Sequence, residues 1–286
     1  MIAITGATGQ LGRLTITALQ RLQPGISIVA AVRSPEKADD LKRSGVEVRL
    51  ADYDRPETLA TAFRGVDKLL LISSNDLGGR LAQHKAVIDA AKHAGVKLIA
   101  YTSILHTDTS ALDLTIEHRA TEAYLKASNV PYVLLRNGWY TENDTAALAS
   151  VLQHGAFIGS SGAGRISWAA RADYAEAAAR VLLADDQGGR IYELAGDDGL
   201  TMAELAAETA KLAGKPIAYA NLPQADFAGA LLGAGLPPAL ATMLADSSAK
   251  AADGGLFDDG RALSQLIGRP TTPVRETLAA ALRTLV

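Results

Sequence analysis

Three glycines spaced G-x-x-G-x-x-G, at Gly6, Gly9 and Gly12, follow the apolar run Ile2-Ala3-Ile4 and overlap a segment with Leu11, Leu14, Ile16 and Leu19 at helical spacing. A strand that turns through side-chain-free residues into a helix lets backbone N–H groups approach a diphosphate, with the positive end of the helix aimed at its charge. Gly6, Ala7, Thr8, Gly9, Gln10 and Leu11 are therefore a candidate pyrophosphate cradle, the plainer alternative being a strand, turn and helix with no ligand. About 20 residues further on, where NAD enzymes place an acid for the ribose hydroxyls, this chain has Arg33. A guanidinium grips phosphate oxygens through a planar fork, so Arg33 favours NADP(H); a solvated surface arginine is the alternative.

Further polar residues stand where apolar runs stop. Asp52 and Tyr53 suit an adenine, or else a capped helix and a half-buried ring. Ser73, Ser74 and Asn75 offer hydroxyls and an amide to a ribose or nicotinamide. The stretch from Arg136 to Asn143 packs two aromatics, two amides, a carboxylate and a guanidinium together in a chain only 5% aromatic. That mixture suits a ligand pocket, with a core tryptophan and capping neighbours as the plain alternative.

Equally informative is the chemistry that is missing. None of the 8 tyrosines has a lysine four residues later, so the Tyr–Lys pair that protonates a carbonyl oxygen in short-chain dehydrogenases is absent. The 5 histidines show no metal-ligand spacing. His84 and His93 fall on one expected helix and read as surface residues. His118 lies four residues before Glu122, which predicts a helix-surface ion pair, with a place near the nicotinamide as the other possibility.

These residues need elements to position them. Strand-length apolar runs at residues 2–5, 26–32, 46–50, 68–72, 97–102 and 132–136 alternate with helical segments at 10–22, 35–44, 56–63, 80–94 and 115–128. That rhythm predicts an α/β fold, a Rossmann-type doubly wound parallel sheet whose ligands lie beyond the carboxyl ends of its strands. The runs are apolar almost throughout rather than alternating, as expected for strands covered on both faces. Beyond residue 136 the pattern turns mostly helical, with a short strand at 190–194. The chain thus reads as an NADP(H)-binding domain over 1–135 and a smaller, mostly helical, substrate-covering part over 136–286. Residues 247–255, small and polar, are expected to form a mobile loop.

Composition bounds the rest. With 286 residues the chain can bury a large core without disulfides, and it has no cysteine, which excludes a thiolate nucleophile or metal site. A net charge of −3 carries no electrostatic footprint for nucleic acid. No apolar run approaches the roughly 18 residues of a membrane span, and a first strand at residue 2 leaves no room for a leader. A cytoplasmic location is the expectation.

Taken together, Thr5 to Gly12, Val32-Arg33-Ser34-Pro35-Glu36-Lys37-Ala38, Leu69 to Ser74, Tyr101-Thr102-Ser103 and Leu134 to Asn143 resemble the NmrA-like branch of atypical short-chain dehydrogenases. The resemblance runs along the whole chain, through Tyr192 to Asp198 and Gly254 to Asp259. It implies NADPH held by Gly6 to Leu11, by Arg33 at the 2′-phosphate and by Ser73, Ser74 and Asn75. It also implies that Asn137, Gly138, Trp139, Tyr140, Thr141 and Glu142 lie near the nicotinamide. Many relatives carry a lysine on the helix where this chain has His118. From position, Tyr140, Asn143 and His118 are the candidates to face a substrate. The expected activity is NADPH-dependent reduction of a small-molecule quinone by direct two-electron transfer, without flavin or metal. A triphenylmethane dye as acceptor and a non-catalytic redox sensor are the alternatives, and a homodimer stays open.

Overall fold

The structure is a computed structural model, and it describes residues 1–285. In chain order come β1 (Ile2–Thr5), α1 (Gln10–Leu22), β2 (Ile28–Val32), a 3-10 turn (Pro35–Ala38), α2 (Asp39–Arg43), β3 (Glu47–Leu50) and α3 (Pro56–Ala62). Then follow β4 (Lys68–Leu71), α4 (Arg80–His93), β5 (Leu98–Ile104), α5 (Thr115–Ala127) and β6 (Tyr132–Asn137). Next are α6 (Thr141–Thr145), α7 (Leu148–His154), β7 (Ala156–Gly159), β8 (Arg165–Ile166), α8 (Arg171–Leu183) and β9 (Ile191–Leu194). The chain closes with β10 (Leu200–Thr201), α9 (Met202–Ala213), β11 (Ala218–Asn221), α10 (Gln224–Gly233), α11 (Pro238–Ala251), α12 (Ala262–Ile267) and α13 (Val274–Arg283).

Among the described residues, seven strands form one sheet in the order β3-β2-β1-β4-β5-β6-β9. The pairs from β3 to β6 are parallel. Bonds from Leu134 N to Arg190 O and from Gly138 N to Leu194 O advance together along both chains, so β9 runs the same way. Strand order therefore reverses between β1 and β4, the position at which such sheets open a crevice for ligand. This is the doubly wound α/β architecture expected.

Burial explains why the strands do not alternate. Ala3, Val29, Ala31, Leu69, Leu71, Ile99, Tyr101 and Leu134 join one buried cluster with Leu59 of α3, Val87 and Ile88 of α4 and Leu125 of α5. Ile4, Ala30, Leu70, Ala100 and Val133 point the other way and are equally buried. At roughly 1.5–3 kcal/mol for each large apolar side chain removed from water, a sheet covered on both faces is favoured over one wetted on a side.

Two compact units emerge. The first comprises Met1–Thr107, Glu117–Asn137 and Tyr174–Tyr192, so it adds most of α8 to the β1–β6 region; the second comprises Asp108–Ile116, Gly138–Asp173 and the chain from Glu193 onward. The second has its own core, including Leu148, Phe157, Trp168, Met202, Leu205 and Leu278. It holds more strand than its sequence suggests, because β7 pairs in parallel with β11, and β8 pairs antiparallel with β10. The expected mobile loop at 247–255 is largely helix: α11 continues to Ala251, and Ser247 and Ala251 are fully buried. A Cβ on Gly164 would sit 2.1 Å from Ala251 O. Small residues here serve close packing rather than freedom. The helix expected at 35–44 likewise divides into the 3-10 turn and α2.

Candidate functional site

The turn after β1 is shaped by its glycines. Gly6 has φ +58°, a region that disfavours side chains, and β1 before it pairs with β4 at the point of strand reversal, where a Cβ on Gly6 would lie 3.7 Å from the Ile72 Cβ. Gly9 N donates to Gly6 O at 2.9 Å, closing the turn. A Cβ on Gly12 would lie 2.6 Å from Gly6 O and 2.7 Å from the Ala7 Cα, so only glycine lets α1 pack this close. Gly9 caps α1 with no side-chain hydrogen bond, and the first turn carries no acid. The first N–H groups of a helix lack intrahelical partners, and here no carboxylate opposes an incoming anion. The turn fits a dinucleotide diphosphate.

Arg33 follows β2. It is exposed and has no salt-bridge partner among the described residues, which suits a cation that waits for a phosphate. Next to it, Arg13 of α1 ties the loops together: Nε donates to Thr8 O at 3.0 Å, Nη2 to Lys37 O at 2.9 Å, and Nη1 bonds the Asp40 carboxylate. Asp52 does not cap α3, whose cap position is Arg55; its carboxylate accepts from Asp54 N at 3.2 Å in a local turn instead. Tyr53 packs against the core, and burial pushes its hydroxyl up to about 12 against an opposing hydrogen bond with Thr5.

Two threonines hold the β4 end. Thr5 Oγ1 accepts from Ile72 N at 3.0 Å, and Thr102 Oγ1 accepts from Ser73 N at 2.9 Å. Ser74 is held by α4, whose Arg80 Nε donates to Ser74 O at 2.7 Å and whose His84 Nε2 accepts from Ser74 N at 2.9 Å. Asn75 is exposed.

Beneath this loop lies a buried polar group that the sequence disguised. His84, expected at the surface, is fully buried; its Nδ1 contacts Thr121 Oγ1 at 3.0 Å and its ring meets Tyr101 edge-on at 5.3 Å. His118 is buried too and shares a 2.7 Å hydrogen bond with the Tyr101 hydroxyl. Its expected ion pair with Glu122 does not form. Instead Glu122, also buried, receives Arg136 through Nε at 3.0 Å and Nη2 at 2.7 Å, and Ser103 Oγ at 2.6 Å. Burial, with Arg80 nearby, brings His84 down to about 3 and His118 well below the usual histidine range. Burial pushes the Tyr101 hydroxyl far up. His118 is thus a core histidine bonded to a tyrosine. The signal in the sequence was spacing: Arg80 and His84, and His118, Thr121 and Glu122, fall on single helix faces.

The segment from 137 to 144 divides between the units. Asn137 ends β6 in the first and is buried; Gly138 onward belongs to the second. There Trp139 is partly buried against the second core, while Thr141 is fully buried with no hydrogen bond at its hydroxyl. The Glu142 carboxylate accepts from Arg171 N at 3.0 Å and so caps α8. The Arg171 guanidinium stacks on Tyr140, 4.7 Å from the ring centre, and donates to Asn143 Oδ1 at 3.3 Å. Asp144 accepts from the Trp168 indole at 2.7 Å and from Trp139; burial pushes its carboxyl up to about 6 against those two bonds. The tryptophans therefore serve a carboxylate as well as the core.

Known proteins are similar to this chain in sequence and fold. A family model described as NAD(P)H-binding matches residues 6–185. Quinone oxidoreductase 2 of Escherichia coli K12 is 55% identical over 279 residues, covering 98% of each chain. A crystal structure of NADPH-dependent quinone oxidoreductase from E. coli complexed with NADPH superposes with TM-score 0.95 at 54% identity, covering 99% of this chain and 100% of that one. Triphenylmethane reductase of Citrobacter sp. complexed with NADP(H) follows with TM-score 0.93 at 37% identity, covering 98% of this chain and 100% of that one. With its glycine turn, its reversed strand order and these relatives, the chain belongs to the NAD(P)H-binding family.

Proposed function

We propose that the protein is an NADPH-dependent quinone reductase, converting a quinone, NADPH and a proton to hydroquinone and NADP⁺. One observation carries the cofactor half: an uncapped α1 start, free of Cβ atoms at Gly6, Gly9 and Gly12, lies at the strand reversal, with an exposed Arg33 following the next strand. The likeness to the E. coli quinone reductase supports the acceptor half. When bound, NADPH supplies the two electrons as hydride. The chain's own work is to hold the phosphates on backbone N–H groups, to neutralise a 2′-phosphate with Arg33, and to fix the ribose side with Ser73, Ser74 and Asn75. Residues 137–142 are assigned to the nicotinamide and Tyr140 and Asn143 to the acceptor; His118, buried and bonded to Tyr101, is left out of direct contact.

The missing Tyr–Lys pair fits this acceptor. Reducing a quinone gives an aromatic, delocalised phenolate that water protonates. Reducing a ketone gives a basic alkoxide, for which a positioned acid is worth roughly 10²–10⁴-fold in rate. A chain without that acid is suited to activated acceptors, where alignment matters most. A cytoplasmic location belongs to the same reading, and sedimentation of the pure protein decides between a monomer and a homodimer.

An acceptor panel is the test. Pure protein should consume NADPH with benzoquinone or menadione and use NADH far less well. The likeness to the Citrobacter reductase makes a triphenylmethane dye the second acceptor to try. Turnover of the dye alone would favour that reading, and tight NADP(H) binding with no turnover of any acceptor would favour a sensor.

A further inference from the structure

One turn of α4 holds a single residue of the β4 loop from three directions. Arg80 Nε donates to the Ser74 carbonyl at 2.7 Å, His84 Nε2 accepts the Ser74 N–H at 2.9 Å, and Gln83 Oε1 accepts the Ser74 hydroxyl. Gln83 also donates to Asp76 Oδ2 at 2.9 Å, and Asp76 N donates back to Ser74 Oγ at 3.2 Å. The geometry determines the state of the imidazole. Because Nε2 accepts a backbone N–H, the proton must sit on Nδ1, where it reaches Thr121 Oγ1 at 3.0 Å. The Thr121 hydroxyl donates in turn to Glu117 O at 2.9 Å, and the Glu117 carboxylate accepts from Gly78 N at 3.3 Å and lies 3.7 Å from Arg80. Arg80 and His84 are 5% and 0% exposed. Two buried polar side chains placed on the peptide groups of one loop residue do more than satisfy a core. They set where that loop stands.

We propose that Arg80, Gln83 and His84 are positioning residues that hold Ser73, Ser74 and Asn75 in the conformation that receives the ribose side of the cofactor. This rests on the cofactor reading above, since it assumes that the β4 loop meets NADPH. The three bond the loop itself, at Ser74. They act by removing the loop's freedom before binding, so that its ordering is not charged to the association step.

His84→Leu keeps bulk and removes the acceptor. His84→Gln restores one, since its amide oxygen can stand in for Nε2. Hydrogen exchange over residues 72–79, without NADPH, should rise in His84→Leu and return toward wild type in His84→Gln. NADPH titration should show about tenfold weaker binding for His84→Leu, as one lost hydrogen bond to the loop implies, with His84→Gln within about threefold of wild type. Steady-state turnover with menadione should place the loss in KM for NADPH, with kcat at saturating NADPH little changed. Gln83→Ala, at a half-buried position, tests the clamp without disturbing the core and should raise the same KM. Wild-type affinity in both His84→Leu and Gln83→Ala, or a loss in His84→Gln equal to that in His84→Leu, would overturn the clamp. Failure of the wild type itself to bind NADPH would overturn the cofactor reading instead, and the exchange measurement would still report whether α4 orders the loop.

Discussion

At the scale of single residues, charge and reach decide cofactor choice. Arg33 is exposed and makes no salt bridge among the described residues, whereas Arg13 nearby is engaged by Asp40, Thr8 and Lys37. Only the first has its guanidinium ready for a 2′-phosphate. Arg33→Glu should raise KM for NADPH by roughly 10–100-fold, the worth of a charge-assisted bond of about 1.5–3 kcal/mol, while KM for NADH changes little. Steady-state kinetics with both nucleotides checks this, and equal losses would remove Arg33 from the site. The sequence places this residue directly after β2, because its position depends on a short offset from the glycine turn. It misjudged His84 and His118, polar residues on helices that read as solvated until the sheet they pack on is known.

At the scale of elements, the decisive contact is the one between the turn after β1 and the start of α1. The 2.6 Å that a Cβ on Gly12 would leave to Gly6 O, with 2.7 Å to the Ala7 Cα, cannot be relieved by a flexible side chain, since both atoms are backbone. Gly12→Ala should therefore shift α1 and spoil the diphosphate cradle. The expected loss falls on NADPH and NADH alike, by tenfold or more, with a loss of stability of about 1–3 kcal/mol, typical of overpacking, that lowers the melting temperature. Cofactor titration and thermal melts read both effects, and a variant that discriminates between the nucleotides would contradict this role. The contrast with Arg33→Glu tests separately the turn proposed to hold the diphosphate and the arginine proposed to read the 2′-phosphate.

Over the whole molecule, buried titratable groups set the pH response. His84 falls to about 3 and His118 lies well below 6.5, so between those values the unfolded chain takes up protons that the folded one refuses. Stability then drops as pH falls below about 6.5, by at most about 1.4 kcal/mol per pH unit for each histidine. Asp144 works the other way: raised to about 6 from 3.8, it makes the folded state the better proton binder, so its contribution is lost as pH rises through that range. Two histidines outweigh one aspartate. Urea melts should show a lower midpoint at pH 5 than at pH 7, with a smaller difference in His84→Gln and a larger one in Asp144→Asn. A midpoint unchanged between the two pH values would contradict the buried neutral histidines.

What the sequence determined by itself was local. Gly6, Gly9 and Gly12 announce a turn because backbone freedom is a property of each residue, and the bounds of β1, α1 and α9 follow from periodicity within a few turns of chain. Arg33 follows from a short offset within one βαβ unit. The tertiary structure decided whatever joins distant segments. It made α11 run through the small residues at 247–251, because Gly164 approaches them, and it paired β7 with β11 across 62 residues of register, from Ala156 to Ala218. It also gathered Ser74 of the loop after β4, Tyr101 of β5, His84 of α4 and His118 and Thr121 of α5 into one hydrogen-bonded group, buried except at Ser74. Hydrogen-bond partners so far apart in the chain leave no periodic trace. Only the stacking of helices on the sheet brings them within 3 Å and takes away the water that would otherwise satisfy them.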